Sequence, residues 1–216
     1  ANPDLQDTLE QIYPLNSVSV LMEKNFDPGR FRNYELLREV YGSSRKQVEK
    51  NLVNVQIGSR FQFNKNNKAA ESLKKSMKEL QVLAGQNKKV AACVYPCSGT
   101  YNYRTISGTN RLSPHSFGNA IDLARDKRDY WKWADNELGQ QRLKSYPNEI
   151  PVIFESNNFI WGGKWNHFDI LHYEYRPEII LKSRYFSNCD NERLWYEGVP
   201  LEDNKIREYI EKINKL

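Results

Sequence analysis

The residues best suited to chemistry are the three histidines, His115, His167 and His172, which all fall within or between two short stretches, Ser113 to Asp122 and Asp169 to His172. A catalytic zinc site needs three protein ligands drawn from imidazole and carboxylate, with a fourth position open to water. His115, Asp122 and His172 supply that set for one zinc ion. A lone buried histidine is more often a satisfied core residue than a ligand, so it is the joint pattern of types and order that points to metal. No neighbouring Ser, His and Asp set suggests a serine nucleophile, and Ser113, next to a proline, reads as a brace for its loop.

The elements that must position these residues are two short strands. Asn119 to Ala124 alternates Ala120, Asp122 and Ala124 on one face with Ile121 and Leu123 on the other, as side chains with period 2 do. Gly118 supplies a flexible point that could fold His115 back toward Asp122. The second stretch places His172, Glu174 and Arg176 on one face and Leu171, Tyr173 and Tyr175 on the other. Glu174 could hold the His172 ring by a hydrogen bond, or make a plain surface ion pair. Asp169 lies on the wrong face for a ligand if the strand is straight. It is therefore expected in a turn leading into the strand, where a general base for a metal-activated water belongs. His167 could orient substrate or support a ligand, or simply sit half-exposed in a turn.

The pattern Ser113, His115, Gly118, Ala120, Asp122 followed by Asp169, His172, Tyr173, Glu174 resembles the M15 family of zinc peptidases. These are D-Ala-D-Ala carboxypeptidases and L-Ala-D-Glu endopeptidases that act on bacterial peptidoglycan. Tyr103-Arg104 matches the family's Tyr-Arg pair, and Trp161-Gly-Gly-Lys-Trp165 its Trp-Gly-Gly-x-Trp run. The resemblance covers roughly Val90 to Glu178. It implies a zinc-dependent hydrolase of stem peptides, secreted to the periplasm or beyond, with peptidoglycan or muropeptides as its partner. Arg104 would grip a substrate carbonyl or carboxylate at two points, and Trp161 and Trp165 would either wall the cleft or fill the core. Tyr173 stands where Phe is commoner. Asp169 stands where the carboxypeptidases usually carry Glu, which leans the comparison toward the endopeptidases. A rival reading is a zinc-bearing binding module on the same scaffold without turnover; retention of Asp169 and Arg104 argues against it.

Composition sets the class. With 216 residues, 39% of them hydrophobic, the chain can bury one good core. No run approaches the roughly 20 apolar residues of a membrane span. The net charge of +5 suits an anionic partner such as the cell wall, or a solubilising surface rich in lysine. The basic residues are scattered among 27 acids without the cluster of a nucleic-acid binder. The start at Ala1 fits a mature chain whose signal peptide has been removed, and equally a chain trimmed at that end. Cys93, Cys97 and Cys189 make an odd count, so one pair could bridge and leave one thiol free. A monomer is expected.

Along the chain, a short helix is expected over Asp4 to Ile12 and a brief strand over Val18 to Met22. Phe31, Tyr34, Leu37 and Tyr41 have helical spacing, and Ser43 or Ser44 can cap a second helix. Leu52 to Ile57 and Arg60 to Phe63 read as a hairpin around Gly58-Ser59. Ala70, Leu73, Met77, Leu80 and Ala84 mark a long helix closed by Gly85. Lys89 to Tyr95 reads as a strand, Pro96 to Leu112 as a long functional loop, Ile150 to Ser156 as a helix, and Asp203 to Leu216 as a terminal helix with Ile206, Ile210 and Ile213 inward. Asp126 to Trp133 is expected to cap the site. The sum is an α+β fold: a small central antiparallel sheet carrying the zinc site, flanked by helices. Residues 1–64 form an N-terminal helical and hairpin extension, packed on a catalytic domain of residues 65–216.

Overall fold

A computed structural model describes residues 3–57, 59–186, 194 and 196–215. Gly58 of the expected hairpin turn, Cys189 and Leu216 lie outside the described residues. The architecture is α+β, with small antiparallel sheets flanked by helices.

The first elements are α1 (Leu5–Leu9), α2 (Tyr34–Tyr41) and α3 (Arg45–Asn51). The side chains of Asp4, Asn33 and Ser44 cap their free N–H groups. Strands β1 (Leu52–Ile57) and β2 (Ser59–Asn64) pair as a hairpin with Val55 opposite Phe61. Helix α4 (Ala69–Gln86) lies against it, burying Leu73, Ser76, Met77 and Leu80 at helical spacing. Gly85 lies inside α4 rather than closing it, and Asn87 ends the helix.

Lys88–Val94 is helix α5 and not the strand expected from its apolar run. The side-chain oxygen of Asn87 accepts from the N–H groups of Lys89 and Val90, and the buried residues Val90, Cys93 and Val94 fall at offsets of three and four. A short apolar run fits a buried helix as well as a strand, and here the cap decides. Val18 to Met22 is likewise no strand. Among the described residues no strand pairs with its backbone, which is tied instead to the Gln140 side chain; that side chain accepts from Leu21 N–H and donates to the Ser19 carbonyl. The helix expected from Phe31 begins at Tyr34, leaving Phe31 exposed.

The central sheet has the order β3 (Ala120–Asp122), β5 (His172–Tyr175), β4 (Phe159–Trp161), all antiparallel. Its register sets Asp122 opposite His172, Ile121 opposite Tyr173 and Trp161 opposite Tyr173. Ile121, Phe159, Trp161, Tyr173 and Tyr175 therefore share the face turned to the main core, where Phe154 stacks on Tyr173 at 4.1 Å between ring centroids. Asp122, His172, Glu174 and Ile160 share the opposite face.

Helices α6 (Asn136–Ser145), α7 (Glu149–Ser156), α8 (Pro177–Tyr185) and α9 (Asn204–Ile213) complete the described chain. On α9 Ile210 is buried, but Ile213 is 48% exposed, contrary to its expected inward place. Leu37, Tyr41, Val48, Phe61 and Phe63, from before residue 65, join Phe117, Ile121 and Phe154 in one apolar cluster. Earlier residues cover the other face of the sheet. Tyr13 is buried and donates its hydroxyl hydrogen bond to Glu155, which also pairs with buried Lys164 at 2.6 Å. The backbone of residues 26–29 lies along the 165–176 stretch: Asn166 N–H donates to the Phe26 carbonyl, Trp165 Nε1–H to Pro28 and Arg176 Nη1–H to Gly29.

Candidate metal centre and its cleft

Pro114–Phe117 forms one tight 3-10 turn, closed by Gly118 at φ +67°. A side chain at Gly118 would meet Leu52 Cδ2 at 2.6 Å and the Asn64 nitrogen at 3.2 Å, so the reversal that returns His115 to the sheet requires glycine there. His115 Nε2 comes to 3.3 Å from His172 Nδ1 and 3.3 Å from Asp122 Oδ2, and His172 Nδ1 lies 2.8 Å from Asp122 Oδ1. The three residues offer ligand atoms all within 4.8 Å of one another.

The hydrogen bonds on the far sides of both rings test whether this cluster suits a metal. His115 Nδ1 lies 2.5 Å from the Thr100 carbonyl, which can only accept, so that nitrogen carries the proton and Nε2 presents a lone pair. His172 Nε2 lies 3.0 Å from Glu174 Oε1, so its N–H donates there and Nδ1 turns toward Asp122. Two imidazole nitrogens and a carboxylate thus converge, each ring oriented by an outer acceptor as metal-ligating histidines are. Tetrahedral bonds of about 2.0–2.1 Å set neighbouring ligand atoms roughly 3.3 Å apart, which matches the two 3.3 Å separations from His115 Nε2, while the 2.8 Å between His172 Nδ1 and Asp122 Oδ1 is a hydrogen-bond distance in the metal-free pair. The residues fit a zinc ion.

Without metal, burial works against charge on His172, but hydrogen bonds to Asp122 and Glu174 prevail and raise it to about 10. Burial likewise opposes ionisation of Asp122, and His115 and His172 override it, holding the carboxyl far below its usual range.

Glu174 is fully buried and does more than face His172. The Arg32 guanidinium grips it with two nitrogens, Nε at 3.0 Å from Oε2 and Nη2 on Oε1, while Arg176 Nη1 stands 3.5 Å from Oε2. Burial would raise the Glu174 pKa, but the Arg32 charge and the bonds to His172 and Arg32 hold it well below the carboxylate range. Arg32 carries no local signal in the sequence, because the contact spans 142 positions.

Asp169 opens the turn that leads into β5: it forms an isolated antiparallel bridge with Tyr130, its N–H donates to the Gly162 carbonyl and its own carbonyl accepts from His172 N–H. A side chain on Gly162 would lie 2.4 Å from that Asp169 carbonyl, so the close approach needs glycine. Asp169 lines a cleft of about 430 Å³ together with His115, Asp122, His172, Arg104 and Trp165. Burial pushes its carboxyl up to about 7; His172 pulls the other way, and the charges of Asp122, Asp129 and Glu174 add to the rise.

The other expected site residues divide. Ser113 is buried on the cleft wall and braces the loop, its N–H donating to the Arg104 carbonyl. Ser116 does more of this work: its hydroxyl donates to the Arg104 carbonyl at 2.7 Å and accepts from the Arg104 N–H at 2.9 Å. His167 lines the cleft and is held by Asp27, which accepts from its ring Nδ1 at 2.6 Å and its backbone N–H at 2.9 Å. Trp165 packs 5.9 Å from the His172 ring. Trp161 does not line the cleft; it stacks on Tyr146 and Tyr173 in the core, its Nε1–H donating to the Ile170 carbonyl. Tyr103 lies under the Arg45 guanidinium, away from the cleft lining. Cys93 is buried and Cys97 half-buried, both as free thiols. Asp126 bonds both Arg128 and the Asp129 loop, and Tyr130, Lys132 and Trp133 from the same segment line the cleft.

Residues 107–175 match the family model for M15 peptidases that is described as D-alanyl-D-alanine carboxypeptidase. The match supports an M15 family peptidase, as the motifs suggested, and it spans His115, Asp122, Asp169, His172 and Glu174. No match to a curated protein or to a solved structure was found. No described helix is long and apolar enough to cross a membrane.

Proposed function

We propose that the chain is a zinc-dependent peptidase that hydrolyses amide bonds in peptidoglycan stem peptides containing D-amino acids, as a D-Ala-D-Ala carboxypeptidase or an L-Ala-D-Glu endopeptidase. The observation that carries this reading is the convergence of His115 Nε2, His172 Nδ1 and the Asp122 carboxylate in a cleft that Asp169 and Arg104 also line.

Held by His115, Asp122 and His172, a zinc ion would supply Lewis acidity, lowering the pKa of a water to roughly 7 and polarising the substrate carbonyl. Asp169, whose environment keeps its proton affinity near neutrality, accepts the proton of the attacking water and passes it to the departing amine. Arg104 holds the substrate's carbonyl or carboxylate oxygen by its guanidinium; removing one such oxyanion donor usually costs about a hundredfold or more. Glu174, fixed by Arg32, keeps the His172 ring in its orientation. Trp165 walls the cleft beside that ring. The substrate places the chain in the bacterial periplasm or outside the cell.

Purified muropeptides digested with and without a chelator, followed by mass analysis of the fragments, test the reading. Loss of a terminal D-Ala or scission between L-Ala and D-Glu, stopped by the chelator and restored by zinc, is expected. Intact muropeptides after incubation with the zinc-loaded protein, or cleavage indifferent to chelation, overturn it.

A further inference from the structure

The charges lining the cleft do not balance. Arg30, Arg32, Arg104, Arg111 and Lys132 face it, against the carboxylates of Asp122 and Asp169. Asp122 is committed to two imidazoles, and Arg32 is neutralised by Glu174. Among the described residues Arg30 has only Asp27 as an ion-pair partner, at 4.0 Å, and Asp27 already accepts two closer hydrogen bonds from His167. Among the described residues, neither Arg104 nor Arg111 has an ion-pair partner for its guanidinium. Arg30, Arg32 and Arg111 line the same cleft, and burial lowers the Arg30 pKa; Asp27 opposes this, and the charges of Arg32 and Arg111 lower it further.

Like charges gathered in a partly desolvated cleft are unfavourable until an anion joins them, and a cleft lined by one sign concentrates ligands of the other. Arginine forks match carboxylates in two-point geometry. Arg104, whose loop is pinned beside His115 by Ser116, is already assigned to the reacting carbonyl or terminal carboxylate. Arg30, Arg111 and Lys132 remain; Lys132 Nζ lies over the Trp131 ring, 5.2 Å from its centroid, which leaves the two guanidiniums as the fork-shaped donors.

Building on the peptidase reading, we infer that Arg30 and Arg111 form a second anion-recognition point, so that the preferred substrate is an acidic peptide bearing a side-chain carboxylate in addition to the group held by Arg104. The two arginines come from different parts of the chain. Arg30 belongs to the N-terminal segment outside the family match, and Arg111 to the loop that Tyr34 anchors through its hydrogen bond to the Leu112 carbonyl. The N-terminal region thereby contributes to substrate choice.

The test uses two peptides of identical sequence apart from one residue near the scissile bond, Glu in one and its neutral near-isostere Gln in the other. Dissociation constants are measured on zinc-loaded Asp169→Asn protein by the fluorescence of Trp133 and Trp165, which line the cleft. Cleavage of the same pair by the wild type is followed in parallel. The carboxylate peptide should bind about tenfold or more tightly than its amide, with the advantage shrinking as salt is raised. Arg30→Gln and Arg111→Gln should each cut that ratio, and the double variant should bring it close to one. Equal binding and cleavage of the two peptides by wild type, or a ratio undiminished in the double variant, overturns the inference while leaving the peptidase reading in place. Cleavage of neither peptide, nor of muropeptides, by the zinc-loaded wild type removes the reading beneath it.

Discussion

Glu174→Gln removes one charge and almost no volume from the centre of the buried network, so its consequences can be worked out closely. Glu174 is 0% exposed, Arg32 8% and Arg176 2%. In the variant, Arg176 keeps Glu178 at 2.5 Å, but Arg32 loses the only ion-pair partner it has among the described residues. Removing one partner of a buried pair costs about 3–5 kcal/mol, because the other charge is left uncompensated. For a chain of this size each kcal/mol lowers the melting temperature by about 2–4 °C. The chelator-treated variant should therefore melt roughly 6–20 °C below wild type. The amide that replaces the carboxylate can still accept from His172 Nε2–H but brings no charge, so zinc affinity should fall about 10–100-fold. Thermal unfolding of the chelated protein and competition for zinc with a chromophoric chelator measure the two effects separately. Adding Arg32→Met should cost less than the sum of the single changes, since it removes the stranded charge. A melting point within about 2 °C of wild type, together with unchanged zinc competition, would refute the role given to this network.

Asp169→Asn should abolish turnover while sparing zinc binding, whereas His115→Ala should lose both; activity assays paired with metal analysis separate the two. In metal-free protein Asp169→Asn should also change the pH dependence of stability. The wild-type carboxyl is raised to about 7 in the fold, so its protonated form supports the fold fully below the unfolded value of about 3.9, and that support is lost as pH rises through 7. The variant should thus escape this loss and melt higher than wild type at pH 8, and a lower melting point there would count against the buried-acid account. Gly118→Ala forces a side chain into φ +67° and against Leu52 and Asn64, and should cost about 1–3 kcal/mol in urea unfolding and weaken zinc binding by shifting His115.

The segments that behaved as read are those whose chemistry or periodicity is local. The alternation around Asp122 and His172 becomes two directly opposed strand positions, and Leu73, Met77 and Leu80 lie on the buried side of α4. Lys89 to Tyr95 reads as a strand and is a helix, because its apolar run is short enough to suit either period and the Asn87 side chain caps it as a helix. Trp161 was ambiguous because a tryptophan beside two glycines can wall a cleft or fill a core. Only the register of β4 against β5 sends it inward.

The amino-acid sequence by itself singled out His115, Asp122 and His172 as a set that could hold a metal, and indicated the place of Asp169 at the turn before β5 and the α+β class, because these follow from residue type and side-chain period over a few positions. Tertiary structure alone decided that Arg32 steadies Glu174, that Asp27 holds His167, and that Arg30 and Arg111 line the same cleft. Those contacts bridge segments far apart along the chain, and an ion pair formed by packing leaves no periodic trace in either partner's neighbours.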